Sequence, residues 1–100
     1  MIRSMLFLHA RPGLGSELLR ALERLGVLAM AREQPGLLGI EVATAVGDDD
    51  DVVIVGFWSS QEHYERWREG PSPGLLLEQI ESLLGVEPES RVYHIAEAVS

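Results

Sequence analysis

Trp58, His63, Tyr64 and Trp67 fall within a ten-residue stretch, where the apolar run Val52-Val53-Ile54-Val55-Gly56-Phe57-Trp58 gives way to Ser59-Ser60-Gln61-Glu62. A strand ending in an indole, followed at once by a helix carrying three ring side chains, is a place where pockets form. A helix that only covered a sheet would carry aliphatic residues there. Tyr64 and Trp67 are three residues apart and so share a helix face. Two indoles and a phenol combine broad apolar surfaces with N–H and O–H donors, which suits a flat aromatic guest. Each also has a packing reading. A buried tryptophan is worth about 3–5 kcal/mol against truncation to alanine, reason enough for Trp58 to be where it is. Tyr64 serves equally as a core residue with its hydroxyl at the rim.

Proton transfer near neutrality would fall to His9, His63 or His94, the three histidines, because only imidazole titrates there unaided. His94, between Tyr93 and Ile95, is the one expected to face an interior. His63 belongs to a first helical turn among Gln61, Glu62 and Glu65, and His9 closes the first strand; each has a plain structural reading beside the functional one. No two histidines have metal-ligand spacing and there is no HExxH motif. Cysteine is absent, which excludes disulfides, thiol nucleophiles and thiolate metal sites. Asp48-Asp49-Asp50-Asp51 lacks the glycine and distal glutamate of a calcium loop and reads as a solvated hairpin tip. Gly13 and Gly15 lack the third glycine and the lysine of a phosphate loop.

One hundred residues make a single domain, marginal alone and helped by pairing with a copy of itself. A net charge of −8 argues against nucleic acid and against anionic membrane surfaces as partners. All eight basic residues are arginine. Residues 1–10 are mildly apolar, but Arg3 and His9 interrupt them and no small-residue cleavage pattern follows, so neither a leader nor a membrane span is expected and the default location is the cytoplasm.

The elements that must position these side chains follow from periodicity and punctuation. Residues 2–10 read as a strand closed by Arg11-Pro12-Gly13. Ser16 is a plausible N-cap for an amphipathic helix with Leu18, Leu22, Leu25 and Ala29 on one stripe, stopped at Gln34-Pro35-Gly36. Residues 37–46 form a second strand, Gly47–Asp51 a hairpin loop, and 52–58 the third strand. The next helix starts at Ser59 or Ser60, with Ser59 and Glu62 fitting a capping box, and breaks at Gly70-Pro71-Ser72-Pro73-Gly74. A further helical piece spans about 75–84 with Gly85 at its end, and 90–99 is the last strand. The order is β-α-β-β-α-β, the ferredoxin-like split arrangement of an α+β fold.

Residues 52–58 and 5–8 are apolar at every position, whereas a sheet with one wet face should alternate. Helices cover one face only. A second copy of the same sheet is the simplest cover for the other, giving a two-fold homodimer.

The chain resembles the antibiotic biosynthesis monooxygenase domain family of small dimeric α+β barrels. The resemblance spans residues 2–99 in element order. It is specific at Pro35-Gly36-Leu37-Leu38-Gly39-Ile40-Glu41-Val42, at Phe57-Trp58-Ser59-Ser60-Gln61-Glu62-His63-Tyr64-Glu65-Arg66-Trp67, and at the break Gly70-Pro71-Ser72. It implies an oxygenase using neither metal nor flavin, acting with O₂ on an electron-rich polycyclic phenol, anthrone or quinol of aromatic polyketide tailoring. Trp58 and Tyr64 match an aromatic pair implicated in anthrone oxygenases. The Asn near that tryptophan has no counterpart, since the chain has no Asn, and Glu78 lies near the position where an Arg would be sought. The haem-degrading branch of the family is disfavoured: residues 5–9 hold no Asn, and the helix end offers Trp67 and Arg68 in place of a ligating His.

The leading expectation is thus a cofactor-independent monooxygenase with Trp58, Tyr64, Trp67 and His9 around the substrate and His94 or His63 as base. A polyketide cyclase or isomerase using the same pocket, and a non-catalytic metabolite-binding dimer, are the alternatives.

Overall fold

Strands β1 (Ile2–His9) and β3 (Asp48–Trp58) pair antiparallel at the centre of a four-stranded sheet of order β2-β3-β1-β4, with β2 spanning Leu37–Ala45 and β4 spanning Glu89–His94. The computed structural model describes residues 1–30 and 33–99. Every pairing is antiparallel, and four helices lie on one face, as in the ferredoxin-like α+β arrangement. Register decides which residues face the helices. Ile2↔Trp58, Ser4↔Gly56, Leu6↔Ile54 and Leu8↔Val52 lie on the helix side, and the alternate pairs Arg3↔Phe57, Met5↔Val55 and Phe7↔Val53 lie on the other. Leu8, Val52 and Ile54 pack with Leu18, Leu22, Leu76 and Ile80 to form the main core, and Ile2, Trp58 and Tyr64 form a second cluster beside it.

Helix α1 (Gly15–Arg24) is shorter than its stripe of leucines suggests. Gly26 takes a φ of +69°, and a separate turn, α2 (Val27–Met30), follows. Leu18 and Leu22 are buried, while Leu25 and Ala29 are exposed at and beyond the break. The expected continuation across residues 31–32 lies outside the described residues. Ser16 does not cap this helix. Its first turn is held from the other end of the hairpin: the Asp50 carboxylate accepts from the Gly13 N–H at 3.0 Å and the Gly15 N–H at 2.9 Å. The acidic run is therefore not a free loop. Gly47, at φ +87°, makes the turn, and β3 starts at Asp48.

Helix α3 (Gln61–Glu69) is capped by Ser60 rather than Ser59; the Ser60 hydroxyl accepts from the His63 N–H at 3.3 Å. Helix α4 (Ser72–Ile80) begins within the Pro-Ser-Pro segment, where proline suits a first turn, and ends in a 3₁₀ turn at Glu81–Leu83. The last strand stops at His94, short of the expected residue 99.

The sheet face away from the helices is apolar at its centre. Val55 is 5% exposed, with Met5, Phe7, Val53 and Phe57 half-buried around it. The Arg3 guanidinium lies 5.3 Å from the Phe57 ring centroid, and that of Arg91 lies 5.9 Å from Phe7. Glu89 holds Arg91 by bonds of 2.9 and 2.8 Å, and that hydrogen bonding raises the guanidinium pKa above its ordinary value.

Candidate functional site

A cavity of about 200 Å³ opens between the helix face of the sheet and helices α2, α3 and α4. Its floor is aliphatic, from Leu6, Ile40 and Ile54, and its roof includes Val27, Met30, Leu76 and Leu77. Trp58, Tyr64 and Trp67 form one end. Trp58 meets Tyr64 edge-on, with centroids 5.8 Å apart and planes at 74°, and meets Trp67 at 5.6 Å and 40°; Tyr64 and Trp67 lie 6.2 Å apart. These separations are those of favourable aromatic packing, so the cluster is a stiff wall. Trp58 is 2% exposed and Tyr64 5%, whereas Trp67 is half-buried.

The indole is fixed by a partner across the sheet. Trp58 Nε1 donates to Ser4 Oγ at 3.0 Å. Gly56 makes that possible: a Cβ there would come within 2.8 Å of Ser4 Oγ and 3.0 Å of Trp58 Nε1. A glycine inside a β-branched run marks a close approach of this kind, though it does not identify Ser4 as the group that approaches. Since Ser4 Oγ accepts from the indole, its own proton is left to donate elsewhere.

Sequence reasoning also missed Gln34, Arg68 and Ser90, which line the cavity together with Ser4 and Tyr64 as its polar residues. Arg68 follows Tyr64 by one helical turn and so shares its face. Among the described residues, no Asp, Glu or His lines the cavity. The space can hold a flat apolar guest and offer it hydrogen-bond donors; it offers no imidazole or carboxylate to take a proton.

The three histidines are placed elsewhere. His63 Nδ1 lies 2.7 Å from Ser60 Oγ and 3.2 Å from Ser59 Oγ, and its ring packs against Gly36, whose φ is +80° and whose added Cβ would overlap the ring. The Ser59 N–H donates to the Gly36 carbonyl at 2.8 Å. His63 therefore locks the Pro35-Gly36 turn to the start of α3. His9 lies on the opposite sheet face, its Nδ1 3.6 Å from Asp51 Oδ1, so the expectation that it lines the pocket is not met. His94, expected to face an interior, is exposed at the end of β4, an edge strand. Among the described residues there is no group of three or more His, Asp or Glu side chains able to hold a metal ion, and no helix long and apolar enough to cross a membrane.

Comparison with known proteins agrees with this architecture. A solved structure of a candidate antibiotic biosynthesis monooxygenase from Deinococcus radiodurans superposes with a TM-score of 0.83 at 17% identity, covering 100% of this chain and 97% of that one. A variant of SnoaB, a cofactor-independent oxygenase from Streptomyces nogalater, gives 0.79 at 14% identity, covering 98% and 95%. A conserved protein from Methanosarcina mazei gives 0.77 at 13%, covering 92% and 89%. At such identities the likeness is one of fold. No curated protein shows significant similarity in sequence. The family model described as antibiotic biosynthesis monooxygenase matches residues 1–72, the segment that carries β1 through α3 and with it the whole aromatic wall, and the chain belongs to that family.

Proposed function

We propose that this protein is a monooxygenase that uses neither metal nor flavin and oxidises an electron-rich fused-ring phenol, anthrone or quinol in secondary-metabolite biosynthesis. The observation that carries the reading is the apolar cavity walled by Trp58, Tyr64 and Trp67 in a chain of this family. The neighbouring fold of a cofactor-independent oxygenase supports it. An anthrone that loses a proton becomes a delocalised carbanion able to reduce O₂ itself. Converting its methylene to a carbonyl releases four electrons, one oxygen atom enters the product, and the other leaves as water, so no external reductant is needed. The protein's tasks are to hold the rings flat, to favour the ionised guest and to keep bulk water from the intermediate. Trp58 and Trp67 hold the rings, and the Tyr64 hydroxyl donates to a guest oxygen. Two copies assemble back to back through the apolar sheet face. If a few hundred Å² per chain are hidden there, the gross gain is about 25 cal/mol per Å², several kcal/mol before the cost of association.

A lining without carboxylate or imidazole also suits a module that binds such a guest without turning it over. Oxygen uptake separates the readings. With 1,8-dihydroxyanthrone the protein should consume O₂ in step with product, and ¹⁸O₂ should place one labelled atom in the new carbonyl. Product formed equally fast in anaerobic buffer points to a cyclase or isomerase. Tight binding with no uptake across several anthrones and hydroquinones points to a binding module. Either result contradicts the proposal.

A further inference from the structure

We infer that Arg68 is a specificity-determining residue that makes the cavity select the anionic form of its guest, so that ionisation is driven by binding and not by a base of the protein. The inference rests on the oxygenase reading of the cavity and adds to it the charge state of the substrate. Arg68 is the one charged side chain lining the cavity among the described residues, and no carboxylate or imidazole lines it. Its place on α3, four residues after Tyr64, puts it on the same side of the helix as that phenol. Among the described residues no carboxylate lies within ion-pairing distance of it; the ion pairs present are His9–Asp51, Arg20–Glu17 and Arg91–Glu89. Two of the neutral polar residues, Ser4 and Tyr64, push the same way. Ser4 Oγ already accepts from Trp58 Nε1 and keeps a proton to give, and the Tyr64 side chain carries a further O–H donor.

Donors inside an apolar cavity and one permanent cation at its mouth favour an oxyanion over the neutral phenol or enol. The step balances simply. The guest's O–H bond, or the acidic C–H bond of an anthrone, breaks heterolytically; the electron pair stays on the guest as phenolate or enolate, and the proton passes to solvent water. Arg68 is itself exposed, so it stands where the cavity meets solvent and that water can reach it. Arginine suits the role because it stays protonated at any working pH.

The test is an anaerobic absorbance titration of 1,8-dihydroxyanthrone bound to the wild-type protein and to R68Q, R68K and R66Q, the last altering an exposed arginine of the same helix that does not line the cavity. The neutral 2-methyl-1,4-naphthoquinone is titrated beside it. Wild type should raise the acid dissociation constant of the bound anthrone roughly 10- to 100-fold over the free compound, as a cation a few ångströms away does. R68Q should lose most of that increase, R68K should keep part of it, and R66Q should match wild type, with naphthoquinone affinity unchanged in all. An R68Q protein that ionises the anthrone as wild type does overturns the role of Arg68 alone. An equal loss of naphthoquinone affinity in R68Q would make Arg68 a packing residue and overturn it too. A wild-type protein that binds neither compound overturns the cavity reading itself.

Discussion

At the scale of single residues, the wall of the cavity rests on a hydrogen bond between side chains 54 positions apart. Replacing Ser4 by Ala leaves the buried indole N–H without an acceptor and should cost about 1–3 kcal/mol, read as a lower urea midpoint at unchanged slope. Tyr64→Phe removes only a hydroxyl. It should leave the melting temperature within a few degrees and lower turnover of an anthrone about 10- to 100-fold, the loss expected when one hydrogen bond to a charged group is deleted. Unchanged turnover in that variant would return Tyr64 to packing alone. The aromatic wall was legible in the sequence because Trp58, Tyr64 and Trp67 lie on one strand end and one helix face. Ser4 was not, since nothing local ties it to Trp58. The histidines misled for a related reason: imidazole chemistry is suggestive wherever it occurs, but two adjacent serines and a glycine turn give His63 a full structural occupation.

Among the elements, the order β-α-β-β-α-β and its antiparallel sheet followed directly from apolar runs and turn residues. Boundaries slipped where a cap came from far away. Ser16 looked like a cap, but the first turn of α1 takes its acceptor from Asp50, 35 residues on from Gly15. Periodicity cannot register such a contact, and four consecutive aspartates look like solvated charge. Asp50→Ala should therefore destabilise the protein by about 1–2 kcal/mol, as loss of a helix cap does, whereas Asp49→Ala should stay within about 0.5 kcal/mol. Asp48, whose carboxylate accepts from the Asp50 N–H at 3.0 Å, is not a neutral control. Equal effects at positions 49 and 50 would show that the carboxylate at 50 holds nothing. The stripe Leu18, Leu22, Leu25, Ala29 continued past a helix end because a four-residue spacing persists on paper after Gly26 has turned the chain.

For the whole molecule, the unalternating strands are the main clue to assembly. Their even positions fill the core and the cavity floor, while Met5, Phe7, Val53, Val55 and Phe57 collect on a face no helix covers. The protein should sediment as a dimer at micromolar concentration. Val55→Arg, at the centre of that face, should yield monomers whose helix side still folds, since the residue lies on the far side of the sheet from Trp58. A wild-type monomer in dilute solution would contradict the back-to-back arrangement.

Trp58 and Trp67 are the chain's two tryptophans, and both line the cavity, so tryptophan fluorescence reports on that space. Titration with a flat neutral quinone should quench both indoles in a saturable, one-site manner, with Trp58→Phe and Trp67→Phe each removing part of the signal. Emission that stays unquenched while the quinone binds, or a quinone that does not bind at all, would mean that the hollow beside Trp58 is not where an aromatic guest is held.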